Sequence, residues 1–227
     1  MREINENRVL AAAEGIGIAM HFQPIVDLET GEVAYHEALL RLDTPEGYLT
    51  PDIILPIAQE LGIMVKLDAQ VIREAAKWSQ KVGPCSVNVA SVAASTADLC
   101  RYRDYDIKVE ISEQDPSLKR GVLATKVAAL NEIGMEVLLD DFGDGEMRCV
   151  HILEGVAGIK LDRRLTNMII AGGAVADAVA LMLIHLRKSG LQIVAEGIET
   201  RGGLKALKGI ASHGQGWLFG RPELPKP

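Results

Sequence analysis

Five short apolar runs end in an acid or amide, or carry one near their C-terminal end. They read Ala34-Tyr35-His36-Glu37, Ser86-Val87-Asn88, Ile107-Lys108-Val109-Glu110, Val137-Leu138-Leu139-Asp140-Asp141 and Ile193-Val194-Ala195-Glu196. Lys160 follows Gly158-Ile159 in the same manner. A lone carboxylate at the end of a buried strand is costly. Brought together, Glu37, Glu110, Asp140, Asp141 and Glu196 would repel one another, so some must hold protons or a cation must neutralise them. With the amide oxygen of Asn88 they make a hard oxygen donor set, which selects Mg²⁺, Mn²⁺ or Ca²⁺ over zinc. His21, His36, His151, His185 and His213 show no metal spacing, and Cys85, Cys100 and Cys149 form no CxxC pair. Several carboxylates suit two ions about 3.5–4 Å apart, an arrangement fitted to in-line phosphoryl chemistry. A single acid at a strand end is more often a helix cap or a surface ion pair. Six such groups at corresponding places in successive units point instead to a shared site.

The elements that would position them alternate along the chain. Asn5 to Glu14 reads as a short leading helix. Ile18 to Val26 and Glu32 to Leu40 read as strands joined by the turn Asp27-Leu28-Glu29-Thr30-Gly31, hence an antiparallel hairpin. Thr50-Pro51 reads as a helix start, with the hydroxyl as N-cap. Helical patterns cover Ile53 to Leu61 and Lys66 to Gln80. Strand-like runs lie at Ser86 to Val89, Ile107 to Ile111, Glu136 to Leu139, Ile159 to Leu161 and Gln192 to Ala195. Amphipathic stretches separate them near Val92 to Cys100, Leu118 to Ile133, Ala174 to Lys188 and Gly203 to Lys208. Gly216 to Phe219 is the last strand candidate. This grammar predicts an α/β chain with parallel crossovers, closed into a (β/α)8 TIM-barrel-like fold with one antiparallel strand from the hairpin. An open doubly wound sheet is the rival, though no GxGxxG follows the first strand. In a parallel barrel all the acid-bearing strand ends reach one rim, where active sites of such barrels lie. The expected division is a helical lead-in over 1–17 and a barrel domain over 18–227.

Composition narrows the function. The 227 residues are 48 % hydrophobic and 24 % charged, which excludes disorder as the main state. A net charge of −7 argues against a DNA or RNA binder but leaves room for a small phosphate ligand. Three scattered cysteines fit a reducing compartment, and no run reaches the roughly 18 apolar residues of a membrane span. The expected location is the cytoplasm.

Glu37-Ala38-Leu39-Leu40-Arg41 contains an EAL tripeptide. Ordered blocks surround it: Phe22-Gln23-Pro24-Ile25-Val26, Val87-Asn88, Glu110-Ile111-Ser112-Glu113, Asp140-Asp141-Phe142-Gly143, Lys160-Leu161-Asp162, Ala195-Glu196-Gly197-Ile198-Glu199 and Gln215-Gly216-Trp217-Leu218-Phe219-Gly220-Arg221-Pro222. Together they resemble the EAL-domain family of bacterial cyclic di-GMP phosphodiesterases over nearly the whole chain. The resemblance implies a (β/α)8-like barrel that hydrolyses cyclic di-GMP to linear pGpG with Mg²⁺ or Mn²⁺, and a homodimer. It implies Glu37, Asn88, Glu110, Asp140, Asp141 and Glu196 as metal ligands, with Glu37, Lys160 and Glu196 in the catalytic set. Lys160 would contact or help deprotonate the attacking water. Arg41 would hold a phosphate; Gln23, Asp162, Glu199 and Gln215 would line the dinucleotide. Glu113 would support the loop after Asp141. Read as ordinary structure, Arg41 would pair with an acid and Lys160 with Asp162.

The main departure from the family is one segment. The family's loop there usually reads DFGTGYSSL, whereas here Asp144 replaces the small hydroxyl and Glu146-Met147-Arg148 replaces the Tyr-Ser-Ser portion. Asn88 is also followed by Val89-Ala90 where the family often has Leu-Ser, and the spacing from Asp140 to Lys160 is one residue short. Every implied ligand remains, which favours activity; the altered loop favours a non-hydrolysing receptor or regulator that binds the dinucleotide or a protein. A Mg²⁺-dependent barrel enzyme acting on a carboxylate substrate is a further alternative. Trp78 and Trp217 are both expected to pack structurally, Trp217 against the closing strand.

Overall fold

The computed structural model describes residues 2–89, 99–112, 120–143 and 155–225. Helix α1 (Arg2–Ala13) packs on α2 (Pro51–Glu60) and α3 (Met64–Val82). Strands β1 (Ile18–Asp27) and β2 (Val33–Thr44) form the expected antiparallel hairpin, with Gln23 opposite Glu37. Its turn follows from local chemistry: Asp27 Oδ1 accepts from the amides of Glu29 and Thr30 at 2.8 and 2.9 Å, and Gly31 supplies the positive φ of 79°. A short β3 (Gly47–Leu49) extends β2 outside the barrel.

The remaining strands are β4 (Cys85–Asn88), β5 (Ile107–Ser112), β6 (Val137–Phe142), β7 (Gly158–Leu161), β8 (Gln192–Ala195) and β9 (His213–Gln215). Described helices between them are α4 (Arg120–Glu132), α5 (Arg163–Ala171), α6 (Ala174–Lys188) and α7 (Arg201–Leu207). From β2 the pairing runs through β4, β5, β6, β7, β8 and β9 to β1, and β1 pairs back to β2. The ring is therefore closed with eight strands, and β1 alone runs antiparallel to both its neighbours. The fold is the expected TIM-barrel-like one, and closure removes the open-sheet rival. Most of the apolar core lies between the barrel wall and the helices, built on residues such as Ile54, Leu67, Ile72, Leu130, Leu183 and Leu207, all 0–1 % exposed.

Three sequence expectations are corrected. The last strand is His213–Gln215, and Gly216 to Phe219 is a turn. The apolar run has strand propensity, but Gly216 lies so close to Ile198 that a Cβ there would sit 2.2 Å from its carbonyl oxygen; the chain passes Ile198 and turns away. Thr50 has the extended backbone of an N-cap, yet its hydroxyl donates to Asp52 instead of accepting from the helix. The carboxylate one residue into the helix outcompetes the backbone amides for that hydroxyl. Trp217 does not pack against the closing strand but is 54 % exposed. Trp78 does pack, partly buried, with its ring 6.0 Å from that of Phe22. The amphipathic stretch at Val92 to Cys100 lies outside the described residues except for its last two. Gly172 and Gly173, with φ of 77° and 110°, break α5 from α6 at an angle of 115°. Among the described residues no single helix is long and apolar enough to cross a membrane.

Candidate active site at the barrel mouth

Side chains alternate sides along a strand, so one residue in two points into a barrel. Glu37 on β2, Asn88 on β4, Glu110 on β5, Asp140 on β6 and Lys160 on β7 share that inward phase near the C-terminal ends of their strands. Glu196 follows the last residue of β8. On β9, Gln215 reaches the same level, and on the reversed β1 so does Gln23. These side chains meet in one cluster.

Lys160 is its centre. The ammonium nitrogen lies 2.7 Å from Glu110 Oε2, 2.9 Å from Glu196 Oε1, 3.1 Å from Asp140 Oδ1 and 3.3 Å from Glu37 Oε1, and the side chain is 1 % exposed. The near-in-sequence Asp162 is not its partner. An ammonium has three protons to donate, so it cannot satisfy four carboxylates at once. Glu37 is held from the other side: Asn88 Nδ2 donates to Oε1 at 2.8 Å, and Gln215 Nε2 donates to Oε2 at 2.6 Å. Gln215 Nε2 also donates to Gln23 Oε1 at 3.0 Å. Gln215 thus orients the Glu37 carboxylate, and Gln23, itself donating to the Gly220 carbonyl at 3.1 Å, steadies Gln215.

Charge is distributed unevenly over the acids. Burial pushes Glu37 up, but Lys160, Gln215 and Asn88 outweigh it and hold its carboxyl below the usual range. Glu110 has no such amide donors; burial and the neighbouring acids raise it well above that range despite Lys160. Burial, then Asp140 and Glu37 acting against Lys160, push Glu196 up to about 8. Burial lowers Lys160, and the four carboxylates more than reverse this, so its ammonium is kept far above the ordinary lysine value. In this arrangement Lys160 is a cation and a donor. Service as a base requires other positive charge beside it.

Asp141 sits at the edge of this cluster in a strained conformation. Its φ is 57°, the only positive value among described non-glycine residues, and the β6–β7 register shifts there. The amide of Asp141 donates to Asp140 Oδ1 at 3.0 Å, and Ser112 Oγ donates to Asp141 Oδ2 at 3.1 Å. Burial and Asp140 raise the Asp141 carboxyl. Ser112 was not singled out in the sequence, although it stands two residues after Glu110 at the next inward position.

The other expected residues divide. Arg41 follows Glu37 and Leu39 on the inward phase of β2, one turn of the alternation beyond Leu39. It is half-buried, and its guanidinium donates to the carbonyl of Leu40 at 2.7 Å; among the described residues it forms no ion pair with an acid. Asp162 caps α5, accepting from the amide of Arg164 at 2.8 Å. Glu199 lines the cleft above the cluster and pairs with Arg163 at 2.5 Å. Arg163, which carries no signal in the sequence, also lines the cleft, as does Trp217, expected to be a packing residue. Glu113 and the altered loop from Asp144 to Cys149 lie outside the described residues.

The residues fit a divalent cation. Oxygens of Glu37, Glu110 and Asp140 lie within 4.8 Å of one another. Glu110 Oε1 is buried with no hydrogen-bond partner, an orphaned acceptor facing an all-oxygen donor set.

Known proteins share this arrangement of elements. The EAL domain family model matches residues 6–222. A cyclic di-GMP phosphodiesterase of Pseudomonas aeruginosa is 30 % identical over 92 % of this chain and 39 % of its own length. The bifunctional diguanylate cyclase/cyclic di-GMP phosphodiesterase MucR of that organism is 27 % identical over 93 % of this chain and 34 % of its own length. A solved structure of the MucR phosphodiesterase in complex with cyclic di-GMP superposes with a TM-score of 0.80 at 26 % identity, covering 97 % of this chain and 98 % of that one. The chain spans less than half the length of the curated relatives it matches.

Proposed function

The chain belongs to the EAL domain family, and on that premise we propose that it is a metal-dependent phosphodiesterase hydrolysing cyclic di-GMP to linear pGpG. The observation that carries the reading is the mouth cluster: four carboxylates share one lysine, and one buried carboxylate oxygen has no partner. Glu37, Asn88, Glu110, Asp140, Asp141 and Glu196 would hold Mg²⁺ or Mn²⁺, two ions in all. When bound, such ions offset phosphate charge and acidify water at neutral pH.

The chain's own residues do the rest. Gln215 and Asn88 fix the rotamer of Glu37 from both sides. Ser112 and the strained backbone aim the Asp141 carboxylate. Lys160 delivers positive charge at the depth where a phosphate oxygen or water must sit. Arg41, one step beyond Leu39, presents a planar fork suited to a phosphate. Gln23, Glu199 and Gln215 line the dinucleotide, and Asp162 shapes that wall by capping α5. The reading includes a homodimer, testable by sedimentation, and a cytoplasmic location, with which the buried free thiol of Cys85 agrees.

The test is incubation of pure protein with cyclic di-GMP and Mn²⁺, followed by chromatography for pGpG. Accumulating pGpG that stops on chelation supports the reading. A second reading, a receptor that binds without hydrolysis, is favoured by the acids Asp144 and Glu146 in the altered loop. Tight binding of cyclic di-GMP with no pGpG would establish it.

A further inference from the structure

We infer that Trp217 is a stacking platform for one nucleobase of the ligand, an assignment that rests on the cyclic di-GMP reading above. Trp217 lines the cleft over the acidic cluster and is 54 % exposed. Of the large apolar side chains exposed elsewhere on the described surface, none lines that cleft. Isolated exposed apolar residues are normal on a protein surface; an exposed indole at the rim of a polar cleft is a different feature.

The chain fixes this indole in space. Gln215, two residues earlier, is tied to Glu37 and Gln23. Gly216 between them presses against Ile198, where no Cβ fits. On one side of the ring the Arg221 guanidinium carbon lies 3.9 Å from the centroid. A guanidinium stacked on one face holds the plane and leaves the opposite face for a ligand. Aromatic faces stack on bases with a strength that alanine substitution reads as about a tenfold to hundredfold loss of affinity. The cluster below handles a phosphodiester; a base attached to it through its ribose must lie against the cleft wall, and Trp217 offers the flat apolar surface there. The neighbouring Arg163–Glu199 pair presents donors and acceptors at the base edge.

The experiment uses the full chain with Trp78→Phe, which leaves Trp217 as the sole tryptophan, excited selectively at the red edge of the indole band. Titration with cyclic di-GMP under EDTA, where turnover is suppressed, should quench the indole emission with the same midpoint that calorimetry gives. Trp217→Ala should weaken calorimetric binding about tenfold or more, and Trp217→Phe should restore most of it. Guanosine monophosphate should compete less well against Trp217→Ala than against the parent, whereas ribose 5-phosphate should compete equally. If the parent binds while Trp217→Ala binds as tightly and no quench occurs, the platform is refuted and the phosphodiesterase reading stands. If the parent binds cyclic di-GMP neither under EDTA nor with Mn²⁺, both fall.

Discussion

The two ends of the barrel are built on the same strands, two residues apart, and differ in what fills them. Two positions below Glu37 stands Tyr35; below Asp140, Leu138; below Lys160, Gly158; below Glu196, Val194. On the reversed β1, Ile25 lies below Gln23. Ile25, Tyr35, Leu138 and Val194 form a small apolar cluster, each no more than 3 % exposed. Gly158 leaves room for it: a Cβ there would meet Leu138 at 3.1 Å and Gln192 at 2.7 Å. The buried Tyr35 hydroxyl accepts from Gln192 Nε2 at 2.9 Å, and burial keeps the phenol neutral. On the floor the Tyr35 hydroxyl has its partner, whereas the buried, neutral Ser86 Oγ two positions below Asn88 has none. The mouth gathers like charges around one ammonium. One end stabilises the fold, and the other stores unmet electrostatic demand that a ligand can answer.

Substitutions at the two ends should therefore act on different observables. Glu37→Ala should lower pGpG formation about 10³-fold while leaving the far-UV spectrum intact, because it removes an oxygen ligand and little packing; a rate within a few-fold of the parent would break the comparison. Lys160→Met strands four acids without their ammonium. It should cost the metal-free protein about 3 kcal/mol in urea unfolding, and added Mn²⁺ should recover more stability than it gives the parent. Leu138→Ala should cost about 3 kcal/mol as well, by cavity formation, with no recovery by Mn²⁺ and with near-parental turnover well below the unfolding transition.

The pH dependence sharpens the contrast. Glu196 is pushed from 4.5 up to about 8, so between those values the metal-free folded state holds a proton that the unfolded state has lost. Stability of that form falls as pH climbs through this window. A cation must displace the same proton, so calorimetric Mn²⁺ affinity should rise by up to about tenfold per pH unit between pH 6.5 and about 8, then level off. A flat profile would mean that Glu196 is ionised before the cation arrives. Smallest of all, Ser112→Ala should cost about 1 kcal/mol of Mn²⁺ affinity by freeing the Asp141 carboxylate.

The barrel and the acids were legible because both obey simple periods. An acid ending an apolar run is visible in one dimension, and closure carries all such ends to one rim. What was not legible depends on contacts distant in sequence. Lys160 and Asp162 look like a pair, yet the inward phase of β7 sends Lys160 to four acids at the ends of four other strands, and Asp162 turns to cap α5. Trp217-Leu218-Phe219 reads as strand until Ile198 forces the turn at Gly216. Ser112 carries no chemical signal until Asp141 lands beside it. Glu113 and the loop from Asp144 lie outside the described residues, so their expected roles are tests for activity assays on Asp144→Thr.

The most direct test of the mouth as a cation site is anomalous diffraction from a crystal soaked in manganese. The account predicts a peak bounded by oxygens of Glu37, Glu110 and Asp140, with the Lys160 ammonium withdrawn from at least one of them. An empty mouth, with Lys160 still holding all four carboxylates at saturating manganese, would contradict it.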